Sequence, residues 1–274
     1  IHPGQIEKGL PLTQWTIESS EDEHGVVVSS AEESLNIDCI KEYWTRYFER
    51  GRWPVEDIYY GLIERFVRRV VIEDPEKWDS IKGRGVLYLA NHQVGVESLL
   101  FSVIASGLIG RPTVTLAKAE HKHTWLGDLI RHNFSYPGIS DPRLITYFDR
   151  NDKASLPAII GELAQEMRNA GRGVMVHVEG TRSLECKTPV EKMSGAFVDM
   201  ALSIGAPIVP VRFIGGLPGD PLSERIEFPI GMGKQDYWFG TPILPEELEG
   251  LPYGERKATV LSAINNLGMP SASE

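Results

Sequence analysis

From residue 85 onward the chain alternates short apolar runs with segments of helical length, and few folds accept that rhythm. Residues 85–90 (GVLYLA), 111–118, 144–148, 173–178 and 208–213 read as strands. Between them, residues 98–109, 125–133, 155–170 and 195–204 read as helices, the third closed by Gly171. Strands joined by helical crossovers run parallel, so the expected architecture is α/β: a largely parallel central sheet with flanking helices. Residues 225–228 and 237–240 look like edge strands among glycine- and proline-rich turns, and residues 253–267 like a last helix.

Amphipathic helices are expected to precede this core. Residues 1–38 are mixed and acidic, residues 39–50 (CIKEYWTRYFER) are amphipathic and aromatic, and Pro54 interrupts the pattern. Residues 55–72 then carry Ile58, Tyr59, Leu62, Ile63, Phe66, Val67, Val70 and Val71 at helical spacing. Arg65, Arg68 and Arg69 fall on the opposite face, either as a solvated basic edge or as a surface for anionic lipid headgroups or an acidic carrier protein. The expected division is an N-terminal extension and helical segment over residues 1–80, packed on an α/β domain over residues 81–274.

Two turns carry chemistry. In the first, His92 follows an apolar strand, with Glu97 five positions on. Five helical residues turn about 500°, which would leave the two side chains about 140° apart inside one helix. They meet only if His92 sits in the connector and Glu97 in the first helical turn, which the glycine at position 95 permits. A Glu there is favoured by the helix dipole and can accept the imidazole N–H, giving a base with its orienting acid. The alternative is a histidine capping the helix start beside an unrelated surface Glu. In the second turn, Glu179, Gly180, Thr181, Arg182 and Ser183 follow another buried-type strand. Gly180 permits close backbone approach, while Thr181 and Arg182 offer a hydroxyl and a planar fork suited to phosphate. A loop ion pair between Glu179 and Arg182 is the alternative there.

Both turns, in this order, resemble motifs of the glycerophospholipid acyltransferases, the superfamily of 1-acylglycerol-3-phosphate O-acyltransferase. An Asn-His-x-x-x-x-Asp motif is matched by Asn91, His92 and Glu97, with Glu in place of Asp. A strand ending in arginine is matched by residues 144–150 and Arg150. A Phe-Pro-Glu-Gly-Thr-Arg-Ser motif is matched by residues 177–183, with His177-Val178 replacing Phe-Pro. A Lys-x-Gly-Ala-Phe-like stretch is similar to residues 192–197, and a proline-centred strand to residues 206–211. The resemblance covers residues 85–213. It implies that His92 deprotonates an acceptor hydroxyl, which attacks the thioester of an acyl-CoA or acyl-carrier-protein donor. Glu97 would orient the imidazole, and Asn91, Lys118, Arg150, Glu179, Gly180, Thr181, Arg182 and Ser183 would bind the acceptor. No bound cofactor or metal is implied, since the thioester is the co-substrate. The acceptor is expected to be a glycerophosphate or lysophospholipid. The alternatives are a hydroxyl or amine of a specialised metabolite or carrier-bound intermediate, water, or a non-catalytic acyl- or carrier-binding role.

Composition is that of an ordinary globular enzyme. At 274 residues and 42% hydrophobic content, the chain can bury a full core. A net charge of −10 argues against a nucleic-acid partner. Cys39 and Cys186 match no metal spacing and read as free thiols in a reducing compartment. His121, His123 and His132 cluster in sequence without paired acids at helical spacing, so no metal is expected there. The longest apolar run, residues 98–110, falls short of the ~20 residues that span a bilayer. The first residue is Ile1, which leaves open an excised piece of a longer polypeptide; no signal-peptide pattern follows, so the expected location is cytoplasmic or peripheral to a membrane.

Overall fold

A computed structural model describes residues 27–29, 34–49, 51, 54–131, 143–149, 151–152, 155–186 and 188–268. The strands are β1 (Val27–Ser29), β2 (Ser34–Asn36), β3 (Val67–Ile72), β4 (Leu87–Ala90), β5 (Thr113–Lys118), β6 (Ile145–Phe148), β7 (Gly173–His177), β8 (Ile208–Gly215) and β9 (Gln235–Phe239). The helices are α1 (Ile37–Phe48), α2 (Pro54–Phe66), α3 (Pro75–Ile81), α4 (Glu97–Ile109), α5 (Trp125–Arg131), α6 (Ser155–Ala170), α7 (Ala196–Ser203), α8 (Pro245–Glu249) and α9 (Tyr253–Asn266). A 3₁₀ turn at Ala119–His123 joins β5 to α5.

One mixed sheet runs β2-β1-β3-β9-β8-β4-β7-β5-β6. The five strands from β8 to β6 are mutually parallel, and β9 pairs antiparallel with β8. The expected α/β class with a mostly parallel sheet and flanking helices is what the chain adopts. Its faces are covered by two apolar clusters. One gathers α1, α2 and α4 against Tyr88, Phe213, Tyr237 and Phe239. The other packs Leu87, Leu89, Val174 and Val176 against α6, α7 and α9. Helix α4 is apolar all round, as a helix between a sheet and another helix must be. Gly107 lets α1 approach it, because a Cβ there would stand 2.9 Å from the Ile40 Cα.

Two expectations are corrected. The helix read over residues 55–72 ends at Phe66, and Val67–Ile72 forms β3. Its β-branched valines fit strand as well as helix, and pairing on both sides, with β1 and β9, decides the matter. A register shift between Val67 and Arg69 turns both Arg68 and Arg69 onto Asp236 of β9, at 2.7 and 3.1 Å. The segment from Gln235 to Phe239 is an interior strand between β3 and β8, whereas residues 225–228 are loop. That loop lies across the His92 turn, its Ile226 and Glu227 carbonyls accepting from Gly95 and Val96 at 3.1 and 2.9 Å. Residues 132–142, which include the last two of the helix expected over 125–133, lie outside the described residues. No described helix is long and apolar enough to cross a membrane.

Register places the chemistry. Parallel pairing of Ala90 with His177 brings the turns after β4 and β7 side by side at the carboxyl edge, where open α/β sheets bind ligands. Pairing of Lys118 with Phe148 adds the ends of β5 and β6 to the same edge. Asn91 pins the first turn from the other side. Its Nδ2 donates to the Phe213 carbonyl at 2.9 Å, and its Oδ1 accepts from the Phe213 N–H at 2.7 Å. The amide thus extends the β4–β8 ladder by one side chain. Asn91→Leu would leave both buried Phe213 groups unpaired and is expected to lower stability by about 2 to 4 kcal/mol, read from urea denaturation. An unchanged midpoint would refute this account of Asn91.

Candidate active site

Glu97 opens α4 with its carboxylate fully buried, at 0% exposure. Four donors converge on it. Oε2 accepts from His92 Nδ1 at 3.0 Å and from the Gln93 N–H at 2.9 Å. Oε1 accepts from the Val94 N–H at 3.0 Å and from Gln235 Nε2 at 2.6 Å. The loop before α4 therefore curls around the carboxylate, and this brings the imidazole and the carboxylate together across five residues. The extra methylene of Glu over Asp spans the gap. Burial pushes the Glu97 carboxyl up to about 7, against the nearby His177 and the donors from Gln235, Gln93 and Val94, which favour the charged form.

His92 is 16% exposed and lines a cavity of about 770 Å³. A carboxylate can only accept, so Nδ1 carries the proton and Nε2 is the ring's basic atom. The backbone around the ring is held by the second turn: the His92 N–H donates to Glu179 Oε2 at 2.9 Å, and its carbonyl accepts from the Ser183 N–H at 2.7 Å. Burial, with the neighbouring Arg182, His121 and Lys118, holds His92 well below the usual imidazole range. Burial also raises Glu179 to about 7, opposed by the His92 N–H it accepts.

A second imidazole lies flat on the first. His177 stacks on His92 with centroids 3.6 Å apart and planes 19° from parallel. Its Nδ1 donates to the Asn91 carbonyl at 2.8 Å, and its Nε2 accepts from Ser98 Oγ at 3.0 Å. Burial and the neighbouring His92 lower His177 to about 3, so it stays neutral. The ligating atoms of His92, Glu97 and His177 lie within 4.8 Å of one another, close enough to suggest a metal. Each of those atoms save His92 Nε2 is engaged in the hydrogen bonds above.

The other sequence-selected residues divide by position. Lys118, Glu179, Gly180, Thr181 and Arg182 line the cavity with His92. Arg182 is already engaged, Nη1 donating to the Ile226 carbonyl at 2.7 Å and standing 2.9 Å from Glu227 Oε1. Lys118 Nζ stands 3.6 Å from Glu120 Oε1. Asn91 and Ser183 are turned onto backbone, Ser183 Oγ donating to the Glu185 carbonyl at 2.9 Å. Arg150 lies outside the described residues. Leu116, Leu126, Phe148, Leu156, Val176 and Phe197 supply an apolar wall to the same cavity.

Gln235 and Glu227 escaped the sequence reading. Gln235 has a signal in hindsight: it shares a strand face with Tyr237 and Phe239, and a polar group on a buried face needs a partner. Glu227 has none, because the loop carrying it shows no periodicity.

Comparison with known proteins gives one result. Residues 69–214, over half of the chain, match the family model described as Acyltransferase. The chain belongs to that family and is an enzyme that transfers acyl groups. No curated protein matches the sequence.

Glu97 also sets a pH dependence. As a carboxylate it leaves the lone pair on His92 Nε2. Once protonated it donates to Nδ1, the ring proton moves to Nε2, and the base is lost. The rate of acyl transfer is therefore expected to fall as pH drops through about 7. Stability runs the opposite way: a raised carboxyl takes up its proton more readily folded than unfolded, so its contribution is lost as pH rises through about 7. Glu97→Gln should remove the acid limb and slow the reaction at pH 8. Glu179→Gln should keep the limb, which separates the two carboxyls. A rate that stays level from pH 8 to pH 5.5 would contradict the assignment.

Proposed function

From membership of the acyltransferase family we propose that the chain moves an acyl group from a thioester, acyl-CoA or acyl-carrier protein, to the hydroxyl of a glycerophosphate- or lysophospholipid-like acceptor. The observation that carries the reading is the hydrogen bond from His92 Nδ1 to buried Glu97, which leaves Nε2 as a base on the cavity wall. His92 Nε2 takes the proton of the acceptor hydroxyl as its oxygen attacks the thioester carbonyl. The tetrahedral intermediate expels the thiolate, and the imidazolium returns the proton to the sulfur, so the enzyme ends unchanged. Glu97 stabilises the transient imidazolium, and His177 holds the ring plane from beneath.

Asn91, Glu179 and Ser183 act through backbone, fixing the turn that carries His92. Arg182 and Lys118, with Arg150 by resemblance, receive the acceptor's anionic group; Gly180 and Thr181 shape that end of the cavity. The apolar wall takes hydrocarbon, and the volume lies within the usual range of roughly 300 to 1,000 Å³ for small-molecule sites.

The test incubates the protein with acyl-CoA and acyl-carrier donors against a lysophosphatidate, glycerol 3-phosphate, a monoacylglycerol and an amino-alcohol, with products read by mass spectrometry. Transfer to the phosphate-bearing acceptors is expected, and His92→Ala should slow it by about a thousandfold. A His92→Ala enzyme as fast as the parent would refute the mechanism. Free fatty acid released at a rate independent of acceptor would replace the acceptor with water.

A further inference from the structure

Glu227 belongs to none of the segments that match the family pattern, yet its side chain lies in the wall of the catalytic cavity. The carboxylate sits between Gly95 and Arg182. Its Oε1 is 2.9 Å from Arg182 Nη1, and a Cβ on Gly95 would collide with its Oε2. The backbone that presents it is clamped at three points. Gly95 N–H donates to the Ile226 carbonyl at 3.1 Å, Val96 N–H to the Glu227 carbonyl at 2.9 Å, and Arg225 Nε to the Arg182 carbonyl at 2.8 Å. Arg182 is only 12% exposed, while Glu227 keeps 28% exposure. The guanidinium is thus fixed in place, and the carboxylate on it has a side open to solvent.

We propose that Glu227 is an internal counter-ion occupying the anion seat on Arg182, and that an anionic acceptor must displace it to bind. The inference rests on Arg182 as an acceptor-binding residue in the acyl transfer described above. A carboxylate offers the guanidinium one charge and two oxygens. A phosphate monoester offers between one and two charges at neutral pH and three oxygens, so it wins the exchange. A phosphodiester carries a single charge and gains less on the exchange, and a neutral hydroxyl compound does not compete for the seat. Glu227 is then a positioning residue: it does not touch the reacting atoms, and it raises the concentration of anionic acceptor needed to fill the seat on Arg182.

The experiment titrates inorganic phosphate into the parent and Glu227→Gln proteins, following the Arg182 side-chain N–H resonance. Acyl transfer to a lysophosphatidate, a lysophospholipid diester and a monoacylglycerol is measured alongside. The glutamine keeps the size of the side chain and removes its charge. Phosphate is expected to bind Glu227→Gln about tenfold more tightly, the difference a lost charge-assisted contact makes. The KM for the lysophosphatidate should fall by a similar factor, and transfer to the monoacylglycerol, which does not use the seat, should not change. Glu227→Ala should behave like Glu227→Gln, and adding Arg182→Ala should abolish the gain in either. Phosphate binding no tighter in Glu227→Gln, or a gain that survives Arg182→Ala, would overturn the counter-ion. The titration needs no acyl donor, so it stands apart from the transfer assay. Failure of transfer to every acceptor would instead overturn the reading beneath it.

Discussion

Everything at the carboxyl edge of the sheet depends on one buried carboxylate. Glu97 is removed from water, and its charge is held by two backbone N–H groups, an amide and an imidazole. Removing a carboxylate from water costs several kcal/mol unless such donors surround it. The donors are themselves the loop that carries His92, so the group that needs solvation organises its own solvating shell. The same four hydrogen bonds set the His92 tautomer, the path of residues 92–94 and the start of α4. Stability and chemistry are therefore in tension at this residue. The charged form that orients His92 in the proposed reaction is the one burial disfavours.

How much of this could be read beforehand depends on whether a residue's partner is near in sequence or far. The pairing of His92 with Glu97 follows from five-residue spacing and the position of a helix start, and α4 begins at Glu97 as that geometry requires. The strands from residue 85 to 213 were legible because each is a short apolar run bounded by breakers. The segment 67–72 was not, because its valines satisfy both periods and only its neighbours β1 and β9 choose between them. Asn91 was legible as a site position but not as a crosslink, since its partner Phe213 lies 122 residues away. Gln235 reaches Glu97 across 138 residues, a contact no local pattern encodes.

Two histidines 3.6 Å apart show how environment assigns roles to identical side chains. Both are neutral, and burial lies behind both. What separates them is the group each Nδ1 meets. On His177 it meets the Asn91 carbonyl, a dipole that orients the ring and adds little to hold a positive charge. Its Nε2 is closed by Ser98 Oγ, so a proton arriving there would have to break that bond. On His92, Nδ1 meets a carboxylate whose charge strengthens as the ring becomes cationic, and Nε2 faces the cavity. Burial resists protonation in both rings, and they differ further in that on His177 Nε2 is closed by a hydroxyl. Stacking then works in one direction: the inert ring offers a flat, polarisable face to its neighbour while the neighbour is transiently charged. A phenyl ring at position 177 could supply a face but not the two hydrogen bonds that lock its plane to Asn91 and Ser98. Against the Phe-Pro of the motif this turn resembles, His177 thus replaces packing with a directional anchor under the His92 ring.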